Sequence, residues 1–145
     1  MATTVVTSDL TVSITESYSL NGVEYGGTIN KVFSENGEVI KRVMRVDSSA
    51  YTSVFDYVTE GVQADFKYLR ITNLDDTNFI TLQFFNSNSD AFWVKLKPNE
   101  SYLLMDNSYE INEGATTFGA LSLMSRCSAL ASTDNCDIEF LSVIA

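Results

Sequence analysis

The sequence predicts an all-β fold, an antiparallel β-sandwich or jelly roll in a single domain over residues 1–145, and three observations carry that prediction. Short segments alternate apolar and polar residues with the two-residue period of a strand, as in Leu69-Arg70-Ile71-Thr72. Turn-forming clusters of Asn, Asp, Gly and Ser separate these segments at 21–22, 35–37, 74–78 and 86–90. Scarcely any stretch carries the period of an amphipathic helix.

From residue 10 to residue 20, Val12, Ile14, Tyr18 and Leu20 fall on one side and Thr11, Ser13, Thr15 and Ser17 on the other, which is a strand with one solvated face. Glu16 interrupts the apolar row and reads as a strand end or bulge at a sheet rim, where its carboxylate reaches water. Asn21-Gly22 tolerates the positive φ of a two-residue hairpin turn, so a second arm is expected over 23–34, with Gly26-Gly27 marking a bulge or bend. Glu35-Asn36-Gly37 reads as a second turn of the same chemistry. The strand after it, 38–46, interleaves Lys41, Arg42 and Arg45 with Val39, Ile40, Val43 and Val46. A solvated edge protected by charge is the reading preferred over a docking site.

Residues 50–58, with Tyr51, Val54, Phe55 and Tyr57, form another strand, and 59–65 a loop. The organising stretch is 68–84, read as two strands folded back on each other through the polar corner Leu74-Asp75-Asp76-Thr77-Asn78. Residues 86–90 are a turn, and 91–97 alternate again, with Phe92, Val94 and Leu96 inward and Trp93, Lys95 and Lys97 outward. Pro98-Asn99-Glu100 turns the chain into a strand over 101–105, and 106–117 is a polar surface loop. Residues 118–131 fit either a strand or a short helix. Residues 137–145 are apolar on both faces and belong in the middle of a sheet. The expected core is Leu69, Ile71, Ile80, Leu82, Phe84, Phe92, Val94 and Leu96.

Nine Lys and Arg against 19 Asp and Glu give a net charge of −10, which disfavours nucleic acid and anionic membranes as partners. No apolar run approaches bilayer-spanning length, and the first six residues do not read as an export leader. The sequence holds no histidine, which removes Ser-His and Cys-His arrangements, most transition-metal sites and the usual neutral-pH base. No enzyme activity, cofactor or metal is expected. Asp75, Asp76 and Asn78, or Asp134, Asn135 and Asp137, could offer oxygens to calcium, but turns whose side chains bond their own backbone are the preferred reading. Cys127 and Cys136 are expected to be reduced, buried thiols.

Trp93 is the leading candidate for contact with a partner. Beside Lys95 and Lys97 on a wet face, a large ring is economically explained by an interface. The alternative is a strand covered on both faces by a second sheet or a loop.

The run YLRITNLDDTNFITLQF, then AFWVKLKPNESYLLM, then a loop and DIEFLSVIA, resembles small β-rich virion proteins of tailed bacteriophages, especially cyanophages. The resemblance lies in the order of parts over roughly the last 80 residues, with the hairpin around Asn21-Gly22 in the first half. It implies a virion structural protein made in the host cytoplasm and carried on the capsid surface, a cement or decoration protein bound to the major capsid protein or other virion proteins. Self-association as a homo-oligomer stays open, as do a tail fibre or knob role and a glycan- or receptor-binding module.

Overall fold

Strand periods read from the sequence become strands almost throughout, and the departures fall at the connections. The computed structural model describes residues 7–60, 66–86, 91–105, 109–111, 119–121 and 124–144. They divide into two compact units, Met1–Gly37 and Glu38–Ala145.

The first unit is a long hairpin of β1 (Ser8–Leu20) and β2 (Val23–Asn36). Asn21 and Gly22, with φ of 52° and 78°, make its turn as their chemistry requires. The ladder runs without a slip from Leu10 opposite Phe33 to Leu20 opposite Val23. Gly26-Gly27 therefore mark no bulge, and Glu16 sits mid-strand opposite Gly27 rather than at a rim. Gly26 has a local cause: a Cβ there would stand 2.2 Å from the Glu16 carbonyl oxygen. The expected turn at 35–37 is not a hairpin turn either, because β2 pairs with β1 and not with β3. Asn36 instead turns its side-chain amide back, donating to the carbonyls of Ser8 (2.7 Å) and Phe33 (2.8 Å), and so ties the open end of the ribbon.

The second unit is an eight-stranded sandwich. Its strands are β3 (Glu38–Val46), β4 (Thr52–Asp56), β5 (Phe66–Asn73), β6 (Ile80–Asn86), β7 (Ala91–Leu96) and β8 (Ser101–Leu104), then, after a small pair β9 (Tyr109–Ile111) and β10 (Gly119–Leu121), β11 (Met124–Ala131) and β12 (Cys136–Ile144). One sheet has the order β3-β12-β5-β8 and the other β4-β11-β6-β7, with every pair antiparallel. This is a jelly roll: the nested pairs β3–β12, β4–β11, β5–β8 and β6–β7 form one ribbon, folded so that β12 also joins β5 and β11 also joins β6. A single turn of helix, Tyr57–Glu60, follows β4. Of the ambiguous stretch 118–131, the described residues 119–121 and 124–131 are strand, and the segment expected to be loop contributes β9. The remaining loop and turn residues expected at 61–65, 87–90, 106–108 and 112–117 lie outside the described residues.

The organising stretch needs a correction. β5 and β6 do not pair with each other but belong to opposite sheets, so residues 74–79 carry the chain across the sandwich. Both arms have a dry face, and stacking those faces on either side of one core buries more apolar surface than pairing them edge to edge. Asn73 fixes the crossing. Fully buried at the end of β5, its amide nitrogen lies 2.9 Å from the Asn78 carbonyl, 3.1 Å from that of Lys97 and 3.3 Å from that of Leu96. Its side-chain oxygen accepts from the Asp75 amide at 3.1 Å.

Between the sheets, Leu69, Ile71, Ile80, Leu82, Phe84 and Leu96 are buried, and Phe92 and Val94 pack partly buried against them. At one end Phe55 stacks on Tyr57 and Phe140, and the Tyr57 hydroxyl meets the buried Ser142 hydroxyl at 2.6 Å. β12 lies between β3 and β5, as its two-faced apolar pattern requires. Cys127 and Cys136 are buried and not bonded to each other.

Candidate docking surfaces

β7 ends the order of its sheet, so among the described residues one of its edges carries no paired strand. Its alternation puts Phe92, Val94 and Leu96 toward the core and Trp93 and Lys95 outward, as the sequence requires. Trp93 is 58% exposed, beside Gln83 of β6 across the ladder. The alternative in which a second layer covers this face is thus not what the described residues show. Lys95, opposite Thr81, carries its ammonium 3.8 Å from the centre of the Phe79 ring, so the cation is held against the sheet. Lys97 lies just past the strand. Its side chain is exposed, while its amide donates to the Glu100 carboxylate at 3.0 Å and its carbonyl accepts from Asn73. The structure thus brings Trp93 and Lys95 onto one face and leaves Lys97 at the adjoining turn.

The basic strand β3 is an edge, and its charges are largely spent within the sheet. Lys41 lies 3.2 Å from Glu139, which also bonds Arg70, and Arg45 lies 3.3 Å from Asp137. The Lys41 hydrogen bond and the two neighbouring cations hold the Glu139 carboxyl below its ordinary range. Arg42 points the other way, its guanidinium 5.2 Å from the Phe140 ring centre. Lys41 and Arg45 are exposed, and surface ion pairs of this kind add little to stability. Their effect is to keep a charged row along an open edge.

The first calcium candidate spends oxygens on its own turn, and the second spends them on neighbouring segments of the fold. Asp75 accepts from the amides of Thr77 (2.8 Å) and Asn78, which lowers its carboxyl pKa, and the Thr77 hydroxyl donates to Asp76. Asn135 accepts from the Ser48 amide at 3.0 Å, and Asp137 faces Arg45. Burial, with Asp75, Asp134 and Asp137 nearby, pushes the Cys136 thiol up to about 11, and burial raises Cys127 well above its usual value. Neither thiol is poised as a nucleophile.

The surface that sequence reasoning missed is on the hairpin. One face of β1–β2 carries Ile14 opposite Ile29, Glu16 opposite Gly27, Tyr18 opposite Tyr25 and Leu20 opposite Val23. The other face is polar, with Ser13 bonded to Asn30 (2.8 Å) and Thr15 to Thr28 (3.1 Å). The six apolar and aromatic side chains are between 39% and 68% exposed. The alternation was visible in the sequence. What it could not reveal is that, among the described residues, neither arm joins a larger sheet.

Comparison with known proteins finds no matching family model, no matching curated protein and no matching solved structure.

Proposed function

We propose that this chain is a non-enzymatic structural protein of a tailed-bacteriophage virion, a cement or decoration protein that attaches to the major capsid lattice. The observation that supports this reading is Trp93. A ring of that size, mostly exposed on the outer face of an edge strand with Lys95 on the same face and Lys97 at the adjoining turn, suits the centre of a protein interface. The ordering of strand, polar corner, aromatic strand, proline turn and apolar strand, which resembles small phage virion proteins, points the same way. Jelly rolls serve in viral capsids and in lectins alike, so the fold raises both the capsid and the glycan reading.

Co-sedimentation with particles lacking the protein is the test, with wild type and Trp93→Ala side by side. Truncating an interface anchor should weaken attachment at least tenfold while the melting temperature of the isolated protein holds. If wild type fails to sediment with any capsid, the cement reading is overturned. Attachment only to tails would assign the chain to a fibre or knob. Loss of binding to a glycan array in Trp93→Ala, with particle attachment unaffected, would make the site a sugar platform.

A further inference from the structure

We propose that two copies of this chain pair through the apolar faces of their hairpins, antiparallel, with each Tyr25 ring seated over Gly27 of the other copy. This pairing is independent of what the sandwich docks to.

The argument begins with Gly27. Glycine inside a strand costs conformational entropy and removes a packing group, so its presence calls for a local reason. Gly26 has one, the approach of the Glu16 carbonyl. Gly27 has none within its own chain: a Cβ there would meet nothing within 4 Å, and its φ is not in the left-handed region. On the apolar face, the missing side chain leaves an open depression bounded by Glu16, Tyr18, Tyr25 and Ile29. Tyr18 and Tyr25 stand beside it as a stacked pair, ring centres 5.3 Å apart. A hole and a knob thus alternate along one strand, two residues apart.

That spacing is self-complementary. Two such faces related by a two-fold axis across the strands, placed midway between the Glu16–Gly27 and Tyr18–Tyr25 pairs, bring Tyr25 opposite Gly27 and Tyr18 opposite Glu16. The same operation sets Ile14 against Leu20 and Ile29 against Val23, so the four exposed aliphatic side chains of these cross-strand pairs meet one another. Side chains nearer the open end, Leu10, Val12 and Phe33, are already half-buried or buried and are not needed. The six exposed side chains present on the order of 600 Å² per copy, so a pair would bury about 1,200 Å², the size at which specific interfaces begin. A two-stranded ribbon is marginal alone, which adds to the gain from covering it.

Lipid fits this face less well, because lipid tails would leave Glu16 without a polar partner, whereas in the pair Glu16 faces Tyr18 of the other copy. A strongly charged partner fits poorly too, since Glu16 is the one charged residue among these eight positions.

Sedimentation velocity of the full chain over a range of concentrations tests the proposal. Wild type should show a reversible monomer–dimer equilibrium. Gly27→Ile fills the depression with a residue that suits a strand and whose Cβ meets no atom within 4 Å, so the fold should persist while the dimer dissociation constant rises at least tenfold. The exchanged variant Tyr25→Gly with Gly27→Tyr restores knob and hole in reversed order and should recover the dimer. A wild type that stays monomeric, or a dimer indifferent to Gly27→Ile, overturns the proposal. Failure of the exchanged variant to recover refutes the antiparallel register, and flotation of monomeric wild type with phosphatidylcholine vesicles would hand the face to lipid.

Discussion

Replacing Asn73 by alanine should be among the most damaging single changes outside the apolar core. Its amide nitrogen has two hydrogens to share among three carbonyls at 2.9–3.3 Å, and its oxygen takes a third bond from the Asp75 amide. At about 1 kcal/mol net for each of three bonds, with a further cost for buried carbonyls left without a donor, Asn73→Ala should lose about 3–4 kcal/mol. For a urea dependence of about 2 kcal/mol per molar, the unfolding midpoint falls by roughly 1.5–2 M. Asn73→Asp sharpens the test, because near neutral pH a carboxylate would face those same carbonyls. Such a carboxyl has a folded-state pKa above its unfolded value of about 3.9, so the folded variant holds the extra proton. Its deficit relative to wild type should therefore be largest near neutral pH and narrow as pH falls, when the protonated form can donate. Urea titrations of the three proteins at several pH values measure this. A loss below about 1 kcal/mol in Asn73→Ala, or a deficit in Asn73→Asp that ignores pH, would refute this role for the corner.

Leu82 is fully buried on β6, and Leu82→Ala should cost about 2–5 kcal/mol in the same titration. A negligible change would mean that the site collapses around the smaller side chain. Asp75 and Glu139 both have carboxyl pKa values lowered in the folded state, so their stabilisation is present above the ordinary carboxylate range and is lost as pH falls through it. The unfolding midpoint should accordingly change little through these groups between about pH 7 and pH 5 and decline below about pH 4. Asp75→Asn keeps an acceptor for the corner amides and should flatten part of that decline. An acid limb identical to wild type would exclude Asp75 as a contributor.

Alternation made each strand's dry face legible, because burial on one side of a pleat leaves a period-two record in the residues. All eight expected core side chains are buried or packed against the core, and the outward placement of Trp93 and Lys95 follows from the same record. Partnership between strands leaves no such record. Both arms of 68–84 show one dry face whether they pair with each other or face each other across the sandwich, and the difference lies in their ladder partners, β12 and β8 for one arm and β11 and β7 for the other. Gly26-Gly27 failed as a bulge signal for a similar reason. One glycine answers a backbone clash from the facing strand, and the other answers nothing in its own chain. The hairpin face escaped notice because a strand pattern is the same with or without a covering layer.

The strand order has a consequence for how the molecule assembles as it is made. Among the described strands β11 links β4 to β6 and β12 links β3 to β5, so each of the last two strands takes an interior place in one sheet. Until residues 124–144 emerge from the ribosome, the pairs available among the described strands are β1–β2, β5–β8, β6–β7 and β9–β10, while β3 and β4 have no neighbour. Sheet closure therefore waits on contacts between residues as distant as Glu38 and Ile144, and the loop-closure entropy of such contacts slows folding. During that interval β3 is an unpaired apolar strand, and Lys41, Arg42 and Arg45 along it would act as gatekeepers against aggregation on the nascent chain. Charges that contribute little to the finished sheet would then serve chiefly the unfinished one.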